Sequence, residues 1–333
     1  MKHLLTIIIC SLLCLAMASC NEETGKPASS NRPYQVLLVG DSDGILYHEL
    51  NETAEGLPQP EPRFDITTAN EEQGSDAPWQ KLYRSIVHVV IDRKAKDTHM
   101  TLRRDVYAQP QVILTITAPS VESLRDYIAT RRGSVCRILE AFENGCQKRN
   151  LEAHHNEKFN ALIRRKFGID ILIPADMLSS KQGKDFLWLS NNQNEGLQNI
   201  CIYRVKDGRR TFKDVRDSVM RINIPGEKDG MYMETAALLP AVHISKGDSK
   251  ADGKTTGQQT ESNRQSQGHV LYRGLWDMKD DAMGGPFVAI EMKEPPYIIY
   301  IEGFVYAPES KKRNKVRQLE AVLYTAKPIK QNN

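Results

Sequence analysis

The segment from Arg273 to Phe287 reads Arg-Gly-Leu-Trp-Asp-Met-Lys-Asp-Asp-Ala-Met-Gly-Gly-Pro-Phe and carries residue types suited to recognition chemistry. An indole such as Trp276 can lie on the apolar face of a sugar or peptide while Arg273 and Asp277 bond polar groups beside it. Gly284-Gly285 lets the backbone approach closely or bend sharply. The same residues also read as a strand, a charged turn and a glycine hinge. Asp277, Asp280 and Asp281 offer the acid and base of a glycan hydrolase. That reaction needs two carboxyl groups about 5 to 9.5 Å apart across a cleft, and three aspartates in one turn do not by themselves meet it.

Other constellations are weaker. His154-His155 with Glu152 and Glu157 offers metal-ligand types, but neighbours on a helix point about 100° apart, as on a solvated face. His88, His99 and His243 stand alone beside strand-like residues. Gly40-Asp41-Ser42-Asp43-Gly44 has calcium-ligand types without the later glutamate of an EF-hand loop, and a turn accounts for it. Lys311-Lys312-Arg313-Asn314-Lys315 with Arg317 could touch anionic lipid or glycan, or form a solvated helix face. Zincin, phosphate-loop and Cys-x-x-Cys motifs do not occur in the sequence. No catalytic residue, metal or cofactor is therefore expected.

Six cysteines are present. Cys10 and Cys14 lie in an apolar run from Leu4 to Met17 that follows Lys2 and His3 and ends in Ala18-Ser19-Cys20. This is the layout of a signal peptide, too short to span a bilayer that needs about 20 apolar residues. A cysteine directly after small residues can take diacylglycerol and become the new N-terminus, so residues 1–19 are expected to be cleaved and Cys20 lipidated. Several acyl chains on one residue anchor stably, at about 0.8 kcal/mol per buried methylene. Residues 20–33, poor in apolar side chains, read as a tether. Cys136 and Cys146 lie ten apart in helical sequence, about 15 Å along an axis, too far to bridge. All three remaining thiols read as small buried groups, with a pairing of Cys201 to Cys136 or Cys146 left open.

The chain has 333 residues, 40% hydrophobic and 26% charged, ordinary for a globular protein, and its net charge of +3 falls by one once Lys2 leaves. Such balance argues against a nucleic-acid partner. Apolar runs at Tyr34–Val39, Phe64–Thr68, Ser85–Asp92, Met100–Tyr107 and Gln111–Thr117 predict strands. Ala118-Pro119-Ser120 opens a helix, and another follows Gly133. The apolar signal thins near Gly145–Leu151, suggesting halves at 34–147 and 148–330. In the second half, a helix ending at Gly168 precedes strands at Ile169–Ile173, Phe186–Ser190 and Asn199–Val205 and a helix from Phe212. Ser245–Gly268 is a polar insertion expected to be disordered. Val270–Trp276, Phe287–Met292 and Tyr297–Tyr306 predict strands before a helix at Glu309–Leu323.

Strand-Ala-Pro-helix units recur at Val112–Ser120 and Ile298–Glu309. Together with hairpin-spaced strands they predict an α+β class, mostly antiparallel sheet with helices on one face, in two ferredoxin-like halves.

Leu57 to Asp65 (Leu-Pro-Gln-Pro-Glu-Pro-Arg-Phe-Asp), Arg273 to Phe287, and Glu302 to Glu309 (Glu-Gly-Phe-Val-Tyr-Ala-Pro-Glu) resemble the motifs of a Bacteroidetes-type lipoprotein family of unknown function. The likeness runs over most of the chain beyond the signal and implies an envelope location while transferring no catalytic residues. The expectation is a lipid-anchored protein of the bacterial cell envelope, at the outer membrane on its periplasmic or surface face. It would bind or scaffold a glycan, peptide or envelope protein around Arg273, Trp276, Asp277, Gly284 and Gly285, with a hydrolase of an envelope polymer as the alternative. Cys20→Ala is expected to release the protein from membranes and abolish metabolic labelling with a clickable fatty acid. Label retained by the variant would place the lipid elsewhere.

Overall fold

The computed structural model describes residues 25–69, 78–193, 196–244 and 269–329. Residues 1–19, Cys20 and the polar insertion 245–268 lie outside them.

The first lobe is built on β1 (Gln35–Val39), β2 (Asp65–Ala69), β3 (Ser85–Ile91), β4 (His99–Arg104) and β5 (Val112–Ala118), in the order β2-β1-β3-β5-β4. All pairings are parallel except that of β4 with β5. The inner strands are near-continuous apolar runs, as a parallel sheet covered on both faces requires. Its helices are α1 (Ile45–Leu50), α2 (Pro78–Lys81), α3 (Val121–Thr130) and α4 (Ser134–Ala153). Leu46, Leu50, Leu124, Ile128, Leu139 and Phe142 from α1, α3 and α4 pack on one face. Ser120 starts α3 by accepting from the Ser123 N–H at 3.2 Å. This half is not ferredoxin-like. Its crossover connections return the chain parallel to itself, where hairpins would have made antiparallel pairs.

The expected tether is partly bonded to this lobe. Ser29 N–H donates to Gln109 O at 3.2 Å, Ser30 N–H to Leu82 O at 2.7 Å, and Gln109 N–H to Pro27 O at 2.9 Å. Main-chain bonds need no apolar side chain, so composition carried no trace of this docking.

The second lobe opens with α5 (Glu157–Phe167), which Asn156 caps at Phe159 N–H and Gly168 closes at φ 69°, a left-handed position that suits glycine. A short ribbon pairs β6 (Ile169–Asp170) with β15 (Lys327–Pro328). The main sheet contains β7 (Ser179–Gln182), β8 (Phe186–Ser190), β9 (Leu197–Lys206), β10 (Met233–Leu238), β11 (Val242–Ile244), β12 (His269–Met278), β13 (Gly284–Glu294) and β14 (Tyr297–Tyr306). It runs β10-β12-β13-β14-β9-β8-β7 with β11 also on β12, antiparallel throughout. The remaining helices are α6 (Phe212–Asn223) and α7 (Arg313–Leu323). The α+β class with largely antiparallel sheet therefore stands.

Side chains alternate between the two faces of this sheet. Leu271, Val288, Ile290, Ile299 and Ile301 meet α5 and α7, while Trp276, Phe287, Tyr300 and Phe304 meet α6. Helices thus cover both faces of the larger sheet and not one, because both faces of its central strands are apolar. Among the described residues no helix is long and apolar enough to cross a membrane.

Trp276 is 1% exposed. Its ring meets Phe304 edge-on at 5.5 Å and its Nε1–H donates to Val305 O at 3.3 Å. Opposite it, a Cβ on Gly285 would stand 2.1 Å from Val305 O, so only glycine permits this approach. Trp276→Ala is expected to cost about 3–5 kcal/mol in denaturant unfolding. A loss under about 1 kcal/mol would contradict its role as a core anchor.

Candidate functional site

The alternation along β12 separates the residues that sequence grouped together. Arg273 points to the face shared with α7, where it pairs with Glu320, whereas Trp276 is sealed against Phe304 on the other face. They cannot border one surface, because positions three apart on a strand face opposite ways. Asp277 is exposed at the strand's end beside Gly284, its partner in register. Asp280 and Asp281 are exposed in the turn, and Asp281 Oδ1 accepts the Ala282 N–H. The three aspartates edge a hairpin and line neither of the two cavities beside α4, so the structure does not set them across a cleft there.

Among the described residues no histidine joins a group that could hold a metal ion. His154 follows the last turn of α4, and His155 bonds Leu151 O at 3.0 Å and Glu157 at 3.2 Å. Cys136, Cys146 and Cys201 are free and buried. Burial pushes Cys136 up to about 12 and raises Cys146 and Cys201 as well, so all three are neutral thiols at neutral pH.

One charged cluster is enclosed in the core. Arg216 on α6 and Glu302 on β14 are each 0% exposed and join at 2.8 to 3.1 Å. Thr235 accepts from Arg216 at 2.9 Å, Tyr203 OH donates to Glu302 at 3.4 Å, and the guanidinium lies 4.1 Å from the Phe287 ring centre. Burial pushes Glu302 up against the pull of Arg216. Water has no route to this pair, which is architecture.

The basic run before and within α7, read in sequence as solvated or ligand-facing, is instead spent on the seam between the lobes. The Glu61 carboxylate accepts the N–H groups of Lys312 at 2.7 Å and Arg313 at 3.1 Å, filling orphan donors at the start of α7. Asp65 takes Arg313 at 2.7 Å and Lys311 at 3.0 Å. Burial would raise its pKa, but the hydrogen bonds from Arg313 and Lys311 outweigh that and lower it. Arg317 donates to Glu140 at 2.8 Å and Arg63 O at 2.9 Å, and its guanidinium lies 4.3 Å from the Tyr34 ring centre. Arg63 forks onto the same Glu140 at 2.9 to 3.1 Å. A cavity of about 340 Å³ between the lobes is lined by Tyr34, Arg63, Glu140, Arg273, Arg317 and Glu320 among others, and these three arginines pair with these two glutamates.

The second cavity differs. About 720 Å³ in volume, it lies along the other flank of α4 and is lined by Arg84, Arg104, Arg149, Phe142, Gln147 and Gln318 among others. Arg84 Nε–H bonds both oxygens of the buried Glu143 at 2.9 and 3.0 Å, and burial pushes Glu143 up against the pull of Arg84. Arg149 donates to the Cys146 thiol at 3.1 Å, a weak neutral acceptor, and forms no ion pair among the described residues. Arg84 and Arg104 flank the Phe142 ring at 5.8 and 5.9 Å. Asp105 is held to the turn by the Gln111 N–H at 2.7 Å, and Lys26 donates to Asp105 O. Among the described lining residues cations thus outnumber carboxylates. Sequence reasoning missed it because Arg84, Arg104 and Arg149 come from β3's approach, β4 and α4, and no local pattern joins them.

Glu140→Ala removes the carboxylate of Arg317 and leaves Arg63 only Glu52 at 3.8 Å, and is expected to cost about 2–4 kcal/mol, near the range for breaking buried pairs. Arg132→Ala removes only an exposed partner of Glu52 and should cost less than about 1 kcal/mol. Urea unfolding of the two variants side by side checks this, and equal losses would remove the seam's special weight.

Two family comparisons bear on the whole chain. A domain of unknown function (DUF8532) matches residues 29–152, and a domain of unknown function (DUF4837) matches residues 156–325. No curated protein matches the chain. Since the second match spans just over half of the sequence, the chain belongs to the DUF4837 family.

Proposed function

We propose that this protein is a lipid-anchored lipoprotein of the bacterial cell envelope that binds an acidic partner without catalysing a reaction. The groove carries this reading: Arg84, Arg104 and Arg149 line one cavity, and among its described lining residues carboxylates are fewer than cations. Elsewhere among the described residues, the larger clusters of buried charge are satisfied internally, through Glu61, Asp65, Glu140 and Glu302. An arginine fork is well matched to a carboxylate or phosphate and is weakly hydrated, so it gives up little water on binding. Exposed cations around a concave site also speed capture of an anion.

The anchor and address rest on the N-terminal sequence. The small residues before Cys20, the apolar run before them and the likeness to a Bacteroidetes-type lipoprotein family support lipidation and a place at the outer membrane, on either face. In this reading the lipid holds the two-lobed body at the membrane and leaves the groove open to a partner. Glycan, peptide and envelope protein are the partner types consistent with it.

Fluorescence anisotropy of labelled decaglutamate at low ionic strength tests the charge reading. The full chain is expected to bind it, and Arg104→Glu/Arg149→Glu to weaken binding at least tenfold, about 1.4 kcal/mol. Binding should also weaken as salt is raised. Equal binding by both proteins would remove the groove as the site.

A further inference from the structure

We infer that the groove beside α4 is a subsite for a carboxylated sugar chain, such as one built on uronic or sialic acids; this rests on the anion-binding reading above. Two features of the groove narrow the ligand beyond its charge.

The first is the density of side-chain amides. Gln109, Gln147, Asn150 and Gln318 line the cavity together with the arginines. An amide offers both a donor and an acceptor, which matches a hydroxyl that gives one hydrogen bond and takes another. Gln318 Oε1 already accepts from Gln198 at 3.2 Å, leaving its NH₂ group to donate. Gln111 is different: its amide is spent on Lys81 O, Tyr83 O and the Tyr107 N–H, so it shapes the wall and is not a ligand contact.

The second is that the described lining residues include no exposed aromatic or branched aliphatic side chain. Protein and peptide partners are held chiefly by aromatic or aliphatic groups in desolvated pockets. Here Phe142 is 2% exposed and sits between the guanidiniums of Arg84 and Arg104. Cys146 is buried beneath Arg149. The wall offered to a ligand is therefore guanidinium and amide, with the half-buried Pro33 and Pro110 as its apolar part. Such a surface fits a ligand with hydroxyls along its length and a carboxylate at intervals. The volume of about 720 Å³ lies within the usual range of ligand pockets.

Among the described residues Asp105 is the acidic group of the lining, and Glu143 is buried behind Arg84. Glu143 is held by Arg84, and Asp105 is engaged by Gln111. Arg149, whose hydrogen bond goes to a thiol, is positioned to fork onto the sugar carboxylate, with Arg104 across the groove.

Isothermal titration of the full chain with tetragalacturonate, a hyaluronan tetrasaccharide and sialyllactose tests the inference. Their references are maltotetraose, methyl-esterified tetragalacturonate, inorganic phosphate and decaglutamate. At least one acidic sugar is expected to bind tenfold more tightly than decaglutamate, phosphate and both uncharged sugars. Gln147→Ala/Asn150→Ala should weaken that sugar at least fivefold while leaving decaglutamate within twofold. Arg104→Glu/Arg149→Glu should weaken both, with an unchanged melting curve. If decaglutamate binds through the arginines but no acidic sugar exceeds it, or if the amide variant changes nothing, the sugar assignment fails and anion binding stands. If neither class depends on the arginines, both readings fail.

Discussion

Arg317 is the side chain on which the two lobes meet. It projects from α7 of the second lobe onto Glu140 of α4, the carbonyl of Arg63 and the ring of Tyr34, all belonging to the first. Burial pulls its pKa down, with Glu140 opposing that pull. Desolvating a guanidinium is unfavourable unless its planar face and its edge donors are both used. Here the edge bonds Glu140 and a carbonyl while the face lies over an aromatic ring. A lysine in its place would keep the charge but lose the stacking and the divided hydrogen bonding. The rest of the seam follows the same logic: Arg63 shares Glu140, Arg313 shares Asp65 with Lys311, and Glu61 caps the helix that presents them.

This bonding sorts the charged residues into two classes. Arg216 with Glu302, and the seam arginines with their carboxylates, form closed sets in which each strong donor has an acidic acceptor. They fix one arrangement of helices and strands. Around the groove the sets do not close, because Arg149 finds sulfur where a carboxylate would be expected. A cation held by so weak an acceptor keeps most of its capacity for a ligand. Recognition is thus better indicated by incomplete pairing than by the number of charges, since the seam is at least as rich in arginine.

Much of the scaffold was legible in the sequence. β3, β5, β9 and β14 lie close to their apolar runs, α3 begins after Ser120, and Gly168 ends α5. Local pattern sufficed because those signals are local. The parallel order of the first sheet was not visible, since Val112–Ala118 looks the same whether its neighbour runs with it or against it. Nor was the fate of the motifs. Leu57 to Asp65 stood out as one of the motifs that carry the family resemblance, but its purpose lies in Gln59, Glu61, Arg63 and Asp65 reaching Lys312 and α7. Trp276 drew attention as a recognition residue by its type alone. Only the register that sets it beside Gly285, with Phe304 behind it, shows it to be packing.

The seam also has a place in time. Glu61 and Asp65 precede their partners Lys312 and Arg313 by 251 and 248 residues, so they emerge during synthesis long before those partners exist. The first lobe has its own sheet and helices, and Arg63 already supplies a counter-ion to Glu140 within it, yet Glu61 and Asp65 have no partners until α7 is made. Closure of α7 onto these two carboxylates is then a late event in the building of the fold.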